Sequence, residues 1–226
     1  MILNLKLITP PEAEPITLDL AKQHCRVAND NDDAIIQAYI SAARRLCENE
    51  TRRAFFNQTW QRALDHFPLY PFWSGTGRAT DRHDAWNYSN IRKGYRIQLP
   101  RPSLVSVKSI TYLDPSRTVQ TLDPSLYYAD ADSEPGCIVP QPGLCWPYTQ
   151  QYLPGSVKVQ FVAGSYGDGV IENHCPENVQ VAILLMTGHL YENREATTDA
   201  RLIELPMGVK ALLQSEMVEM FAYENN

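Results

Sequence analysis

Residues 16–53 read ITLDLAKQHCRVANDNDDAIIQAYISAARRLCENETRR, and residues 176–192 read PENVQVAILLMTGHLYE. These two stretches carry the strongest helical signals, and residues 54–175 between them carry almost none. Thr17 has the chemistry of an N-cap, which predicts a short helix from Leu18 to Cys25 with Asp19 in its first turn. The polar run from Asn29 to Asp33 predicts the cap of a second helix over about 32–50. Ile35, Ile36, Tyr39, Ile40, Ala43, Leu46 and Cys47 recur at the three-to-four spacing of one helix face. Gln37, Ser41, Arg44, Arg45 and Glu48 fill the other side. Pro176 suits the first position of a third helix. The run Val179, Val181, Ala182, Ile183, Leu184, Leu185 and Met186 leaves so little polar surface that this helix is expected to be buried all round. Pro206 opens a last helix over about 207–221, carrying Val209, Leu212, Leu213, Met217, Met220 and Phe221.

Neither end buries its apolar stripe alone, so the two ends are expected to meet and the middle to be an insertion. The implied fold class is α+β: a helical core of about four helices from 1–54 and 170–226, with a small antiparallel β domain inserted over 55–169. Within the insertion, Trp60, Arg62, Leu64 and His66 alternate with Gln61, Ala63, Asp65 and Phe67, the two-residue period of a strand. Further strands are expected at Tyr95–Leu99, Val105–Leu113, Val119–Leu122, Leu126–Ala129, Gly136–Val139 and Ser156–Ala163. Asp-Pro-Ser at 114–116 and 123–125 marks turns between them. Residues 68–94 have no period and read as a long loop. Its mix of Arg with Tyr and Trp suits a protein interface better than a base-stacking groove.

Of 226 residues, 44% are hydrophobic and 20% charged, the composition of a globular chain with a sizeable core. The first fifteen residues lack the basic start and small-residue cleavage site of a signal peptide. No apolar run approaches the roughly 18 residues of a membrane span. Five cysteines without a framework spacing read as reduced thiols. The net charge of −6 is uneven: residues 176–226 hold eight acids against three bases. Tight duplex binding depends on neutralising phosphates, so this sign argues against it and suits a surface that lets DNA slide past.

Catalytic and metal motifs fall away on spacing. Cys137, Cys145, His174 and Cys175 lack the close ligand pairs of structural zinc. The acids at 29–33 lack the sixth-position glycine and twelfth-position glutamate of a calcium loop, and read as a helix cap. Residues 164–169, GSYGDG, follow a strand, but no helix starts at once behind them and no Walker lysine is present; they read as a hinge. His174 beside Cys175 is a chance neighbour pair, since adjacent residues need not face one another. No catalytic residue, metal ligand or cofactor is expected.

Several segments resemble the head-tail connector (adaptor) proteins of tailed phages and phage-like gene transfer agents. They are ITLDLAKQHCRV, DNDDAIIQAYISAARRLCENETRRAF, TWQRALDHFP, IQLPRPSLVSVKSITYLD, SEPGCIVP, PGSVKVQFVAGSYGD, PENVQVAILLMTGHLYENREA and ELPMGVKALL, and they span nearly the whole chain. The most specific are LPRPSLVSVKSITYLD and GHLYENRE. The resemblance implies a helical core with a β domain inserted between the second and third helices. It implies a dodecameric ring beneath the portal protein that extends the DNA channel and offers a platform for the stopper or tail. It places the protein in the virion neck, made in the host cytoplasm, with DNA passing unbound and no membrane. The acidic end then suits a non-sticky lumen, with Glu192, Glu195, Glu216 and Glu219 as candidates. A closed ring needs a heterologous interface. The polar face of the second helix (Gln37, Arg44, Arg45, Glu48) is the expected contact with a neighbour's acids. Leu212, Leu213, Met217, Met220 and Phe221 are the expected portal-docking face. The competing readings are a tail-completion or stopper protein, a nucleic-acid-binding module and, more distantly, a small hydrolase using Cys175 or the long loop as its site.

Overall fold

The Thr17 hydroxyl accepts from the backbone N–H of Leu20 at 3.2 Å, and the first helix, α1, runs Leu18–Cys25 as its cap dictates. Arg26 closes it in the left-handed region at φ 57°, its backbone N–H turned back to the last carbonyls. A computed structural model describes residues 4–68, 95–150, 153–194 and 206–218. The second helix, α2, is Asp33–Thr51. Asp32 precedes it without a side-chain cap bond. Its carboxylate instead accepts from the Tyr191 hydroxyl at 2.7 Å and the Arg194 guanidinium at 2.8 Å. These contacts hold the Asp32 carboxyl below its ordinary range, Tyr191 contributing most. The expected local cap is thus a tie to the third helix.

That helix, α3, runs Glu177–Glu192 with Pro176 as its N-cap rather than its first residue. It is not buried all round: Val181 and Leu185 are exposed, as are Ile35 and Leu46 on α2. The last helix, α4, is only Met207–Leu213, followed by a 3-10 turn at Gln214–Glu216 and extended backbone at Met217. The expected continuation to 221 is broken there, and Met220 and Phe221 lie outside the described residues.

The chain forms an α+β fold of two units. The helical unit joins residues 10–58 to residues 164–218. Its core packs Ile36, Ile40, Ala43 and Cys47 of α2 with Val179, Ala182, Ile183 and Met186 of α3, and adds Phe55, Phe56, Val209 and Leu213. Each Val, Leu, Ile, Phe or Met side chain among them stabilises the fold by about 1.5–3 kcal/mol on burial.

The sheet unit joins residues 4–9 to residues 59–163. Among the described residues it holds two sheets. The larger has the order β1 (Leu5–Thr9), β2 (Gln58–Leu64), β8 (Val157–Ala163), β4 (Leu104–Leu113), β5 (Val119–Thr121). The smaller has the order β3 (Ile97–Gln98), β7 (Cys137–Pro140), β6 (Tyr127–Asp130). The β1–β2, β4–β8 and β4–β5 pairs are antiparallel, as are β3–β7 and β6–β7. Strand β8 shows the period-two pattern directly, with Val157, Val159, Phe161 and Ala163 buried. Phe67 stacks on Trp146 at 4.9 Å and meets Tyr112 edge-on at 5.5 Å. Residues 4–9, read from sequence as an arm of the helical ends, pair as β1 with β2. The long loop expected at 68–94 falls, beyond Pro68, outside the described residues.

Candidate functional site

The polar side of α2 is not a uniform solvent face. Arg44 and Glu48 are each 3% exposed and turn inward. The Arg44 guanidinium donates to Glu14 at 2.7 Å and to Glu48 at 2.8 Å, and Ser41 donates to the same Glu14 carboxylate at 2.8 Å. The other Glu48 oxygen accepts from the Phe55 backbone N–H at 2.9 Å and from the Gln58 amide. Two carboxylates and one guanidinium thus satisfy each other and tie α2 to the segments on either side of it. This corrects the expectation that Arg44 and Glu48 stand outward beside Gln37 and Arg45. The helix period puts them at the border of the apolar stripe, and Glu14, distant in sequence, draws them in. Gln37 and Arg45 are exposed.

The C-terminal candidates divide similarly. Leu213 is fully buried in the helical core and Leu212 packs against it, so these two residues anchor α4 rather than offer a free face. The Asn178 amide donates to the Leu212 carbonyl at 3.0 Å, and Val218 N–H donates to the Thr51 carbonyl at 3.0 Å. Met217 is exposed. Glu216 accepts from the buried Tyr166 hydroxyl at 2.6 Å, and burial together with that carboxylate pushes the Tyr166 pKa up. Glu192 is exposed at the end of α3, while Glu195 and Glu219 lie outside the described residues.

The buried thiols of Cys47 and Cys175 are poor nucleophiles. Burial pushes Cys175 up to about 12, with Glu216 adding to the shift, and pushes Cys47 up to about 12 as well. A thiol so held is protonated at neutral pH, whereas a catalytic cysteine needs the opposite shift. Among the described residues no three His, Cys, Asp or Glu side chains are grouped to hold a metal ion. No helix among them is long and apolar enough to cross a membrane.

Residues 164–169, expected as a hinge, begin a loop over 164–175 that is closed by its own hydrogen bonds. One Asp168 carboxylate oxygen accepts the backbone N–H groups of Val170, Ile171 and Glu172 at 2.8–2.9 Å. These bonds hold the Asp168 carboxyl below its ordinary range, the Glu172 N–H contributing most. Gly169 N–H donates to the Glu172 carbonyl at 2.9 Å, and His174 N–H to the Tyr166 carbonyl at 3.0 Å. Gly167 has φ +91°, and a side chain there would overlap the Glu172 carbonyl. The loop is therefore a tied turn whose tip presents Val170 and Ile171, 66% and 88% exposed. Sequence reasoning missed it by weighing the glycines and not the Asp-x-x-x spacing that lets one carboxylate cap three successive amides.

Comparison with known proteins bears on these surfaces. Residues 15–70 match the family described as phage gp6-like head-tail connector protein. Among curated protein sequences none matches. Three solved chains share the fold over nearly the full length. One, from the neck of an empty GTA particle computed with C6 symmetry, is 17% identical with a TM-score of 0.66, covering 96% of this chain and 95% of that one. A second, from the virion of a native gene transfer agent (GTA) particle, is 17% identical with a TM-score of 0.65, covering 94% of each chain. A third, from the neck of a native GTA particle computed with C12 symmetry, is 20% identical with a TM-score of 0.64, covering 96% of this chain and 95% of that one. The segment that builds α1, α2 and β2 thus matches the phage head-tail connector family, and the chain as a whole has the fold of a gene transfer agent neck chain.

Proposed function

We propose that this protein is a structural head-tail connector of a tailed phage or phage-like particle. In this reading it is located in the neck between head and tail and forms a dodecameric ring under the portal. The ring extends the DNA channel and offers the docking platform for the stopper or tail-completion protein. The observation that carries the reading is the coincidence of the connector-family match over residues 15–70 with a neck-chain fold over nearly the whole length. The C6 and C12 symmetry of the similar necks supports a ring of repeated copies.

The chain's chemistry agrees with a passive conduit. Its net charge is −6, so it repels a passing duplex instead of holding it. Glu192 is an exposed acid available to such a lumen, with Glu195, Glu216 and Glu219 as the further candidates. Portal docking falls to the segment beyond α4, where Met217 is exposed and Met220 and Phe221 follow in sequence. Leu212 and Leu213 hold that segment to the helical core. The test is negative-stain imaging of the full chain with and without its portal protein. Rings of about a dozen subunits seated on the portal are expected. A persistent monomer that ignores the portal would overturn the reading.

A further inference from the structure

The helical unit presents two apolar features on opposite flanks of α2, and they match each other in charge. The first is the tip of the tied loop, Val170 and Ile171. A floppy tip of this composition would be unremarkable, but this one is fixed by the three bonds to Asp168, so its two aliphatic side chains are held out in a set geometry. Its surroundings are acidic: Asp168 is held ionised, Glu172 is exposed, and neighbouring Glu12 is exposed. The second feature lies on α2, where Ile35, Ala38, Ala42 and Leu46 follow one another at helical spacing. Ile35 is 41% and Leu46 38% exposed, and exposed Arg45 stands beside them.

The two features face different ways. A side chain at Gly169 would meet Ala13 at 3.0 Å, and the next residue, Glu14, accepts from Ser41 and Arg44. The loop therefore lies on the Ser41 side of α2. At 3.6 residues per turn, Ile35, Ala42 and Leu46 lie on the other side. Head-to-tail contact joins two different surfaces, and an acid-rimmed knob on one flank with an apolar stripe edged by Arg45 on the other supplies such a pair.

We propose that the Val170–Ile171 tip of one copy seats on the Ile35–Ala42–Leu46 stripe of the next, with Arg45 paired to the acids around the tip. The occupant of both features is a second copy of this chain, and the inference rests on the ring reading above. Gln37, on the Ser41 side of α2, is outside this contact. The Arg45 expectation keeps its sense, with Glu172 and Asp168 of the loop as the opposing acids in place of the C-terminal helices.

The test uses the full-length chain in rings, assembled with portal protein where the ring requires it, in a Cys145→Ser background that removes the exposed thiol. The double variant Ala42→Cys with Ile171→Cys is expected to give a ladder of covalent oligomers on mild oxidation, and neither single variant does. Ile171→Asp is expected to weaken self-association about tenfold or more. Arg45→Glu is expected to impair rings, and Glu172→Arg added to it to restore them, a rescue that a folding defect would not give. If the wild-type chain forms no ring, the ring reading itself fails. If wild-type rings form but show neither ladder nor rescue, this interface is wrong and the ring reading stands.

Discussion

Arg44 and Arg45 are neighbours of the same chemistry with opposite roles. Arg44 is buried between Glu14 and Glu48, so truncation leaves the buried Glu48 and the part-buried Glu14 without their cationic partner. Arg44→Ala is expected to destabilise the protein by about 3–5 kcal/mol, read by urea denaturation. Arg45→Ala is expected to change stability by no more than about 0.5 kcal/mol, because the side chain is exposed. The cysteines divide along the same line. Cys145 is exposed, whereas Cys47 and Cys175 are buried with pKa values pushed up to about 12. At pH 7.5 an alkylating reagent is expected to label Cys145 first, with Cys47 and Cys175 reacting only on unfolding; peptide mass mapping reads the order. Rapid labelling of Cys175 in the folded protein would reopen the hydrolase reading.

Among the elements, the loop at 164–175 is where order depends on one side chain. Asp168 binds three backbone amides in its ionised form, and its folded pKa lies below the ordinary carboxylate value. A depressed carboxylate stabilises the fold above its unfolded pKa of about 3.9, and the contribution is lost as pH falls through the lower folded value. Amide exchange at Val170, Ile171 and Glu172 is therefore expected to stay slow from neutral pH down to about 4, beyond the intrinsic pH trend, and to lose protection below that. Asp168→Ala is expected to remove the protection at every pH while leaving α2 and α3 unchanged. Helix α1 has one side-chain cap, and Thr17→Ala is expected to cost about 1 kcal/mol.

Across the whole molecule, charge and the C-terminal segment decide what can be measured. With a net charge of −6, duplex binding is expected to be weak at physiological salt and to show no steep dependence on salt concentration, because few phosphates are neutralised. A steep slope would point to genuine phosphate contacts and a nucleic-acid-binding role. Deletion from Met217 onward is expected to abolish portal binding. It also removes Val218, whose N–H bonds to the Thr51 carbonyl, so the unfolding midpoint must be compared alongside. Portal binding intact in the truncated chain would sink the docking assignment.

Periodicity and caps determined the helices at 18–25, 33–51 and 177–192, because both signals are local and Thr17 or a Pro-Glu start needs no distant partner. Alternation at 60–67 and the turn-bounded apolar runs that follow placed the seven strands β2 to β8 for the same reason. Three features were decided by residues far apart in sequence. Arg44 and Glu48 turn inward because Glu14 and Phe55 lie within reach. Leu5–Thr9 becomes a strand because β2 offers an edge to pair with. Val181, Leu185, Ile35 and Leu46 are left exposed because α2 and α3 are covered on one side by their neighbours within the chain. An apolar run reports that a surface avoids water, and only the tertiary structure decides whether its cover lies within the chain.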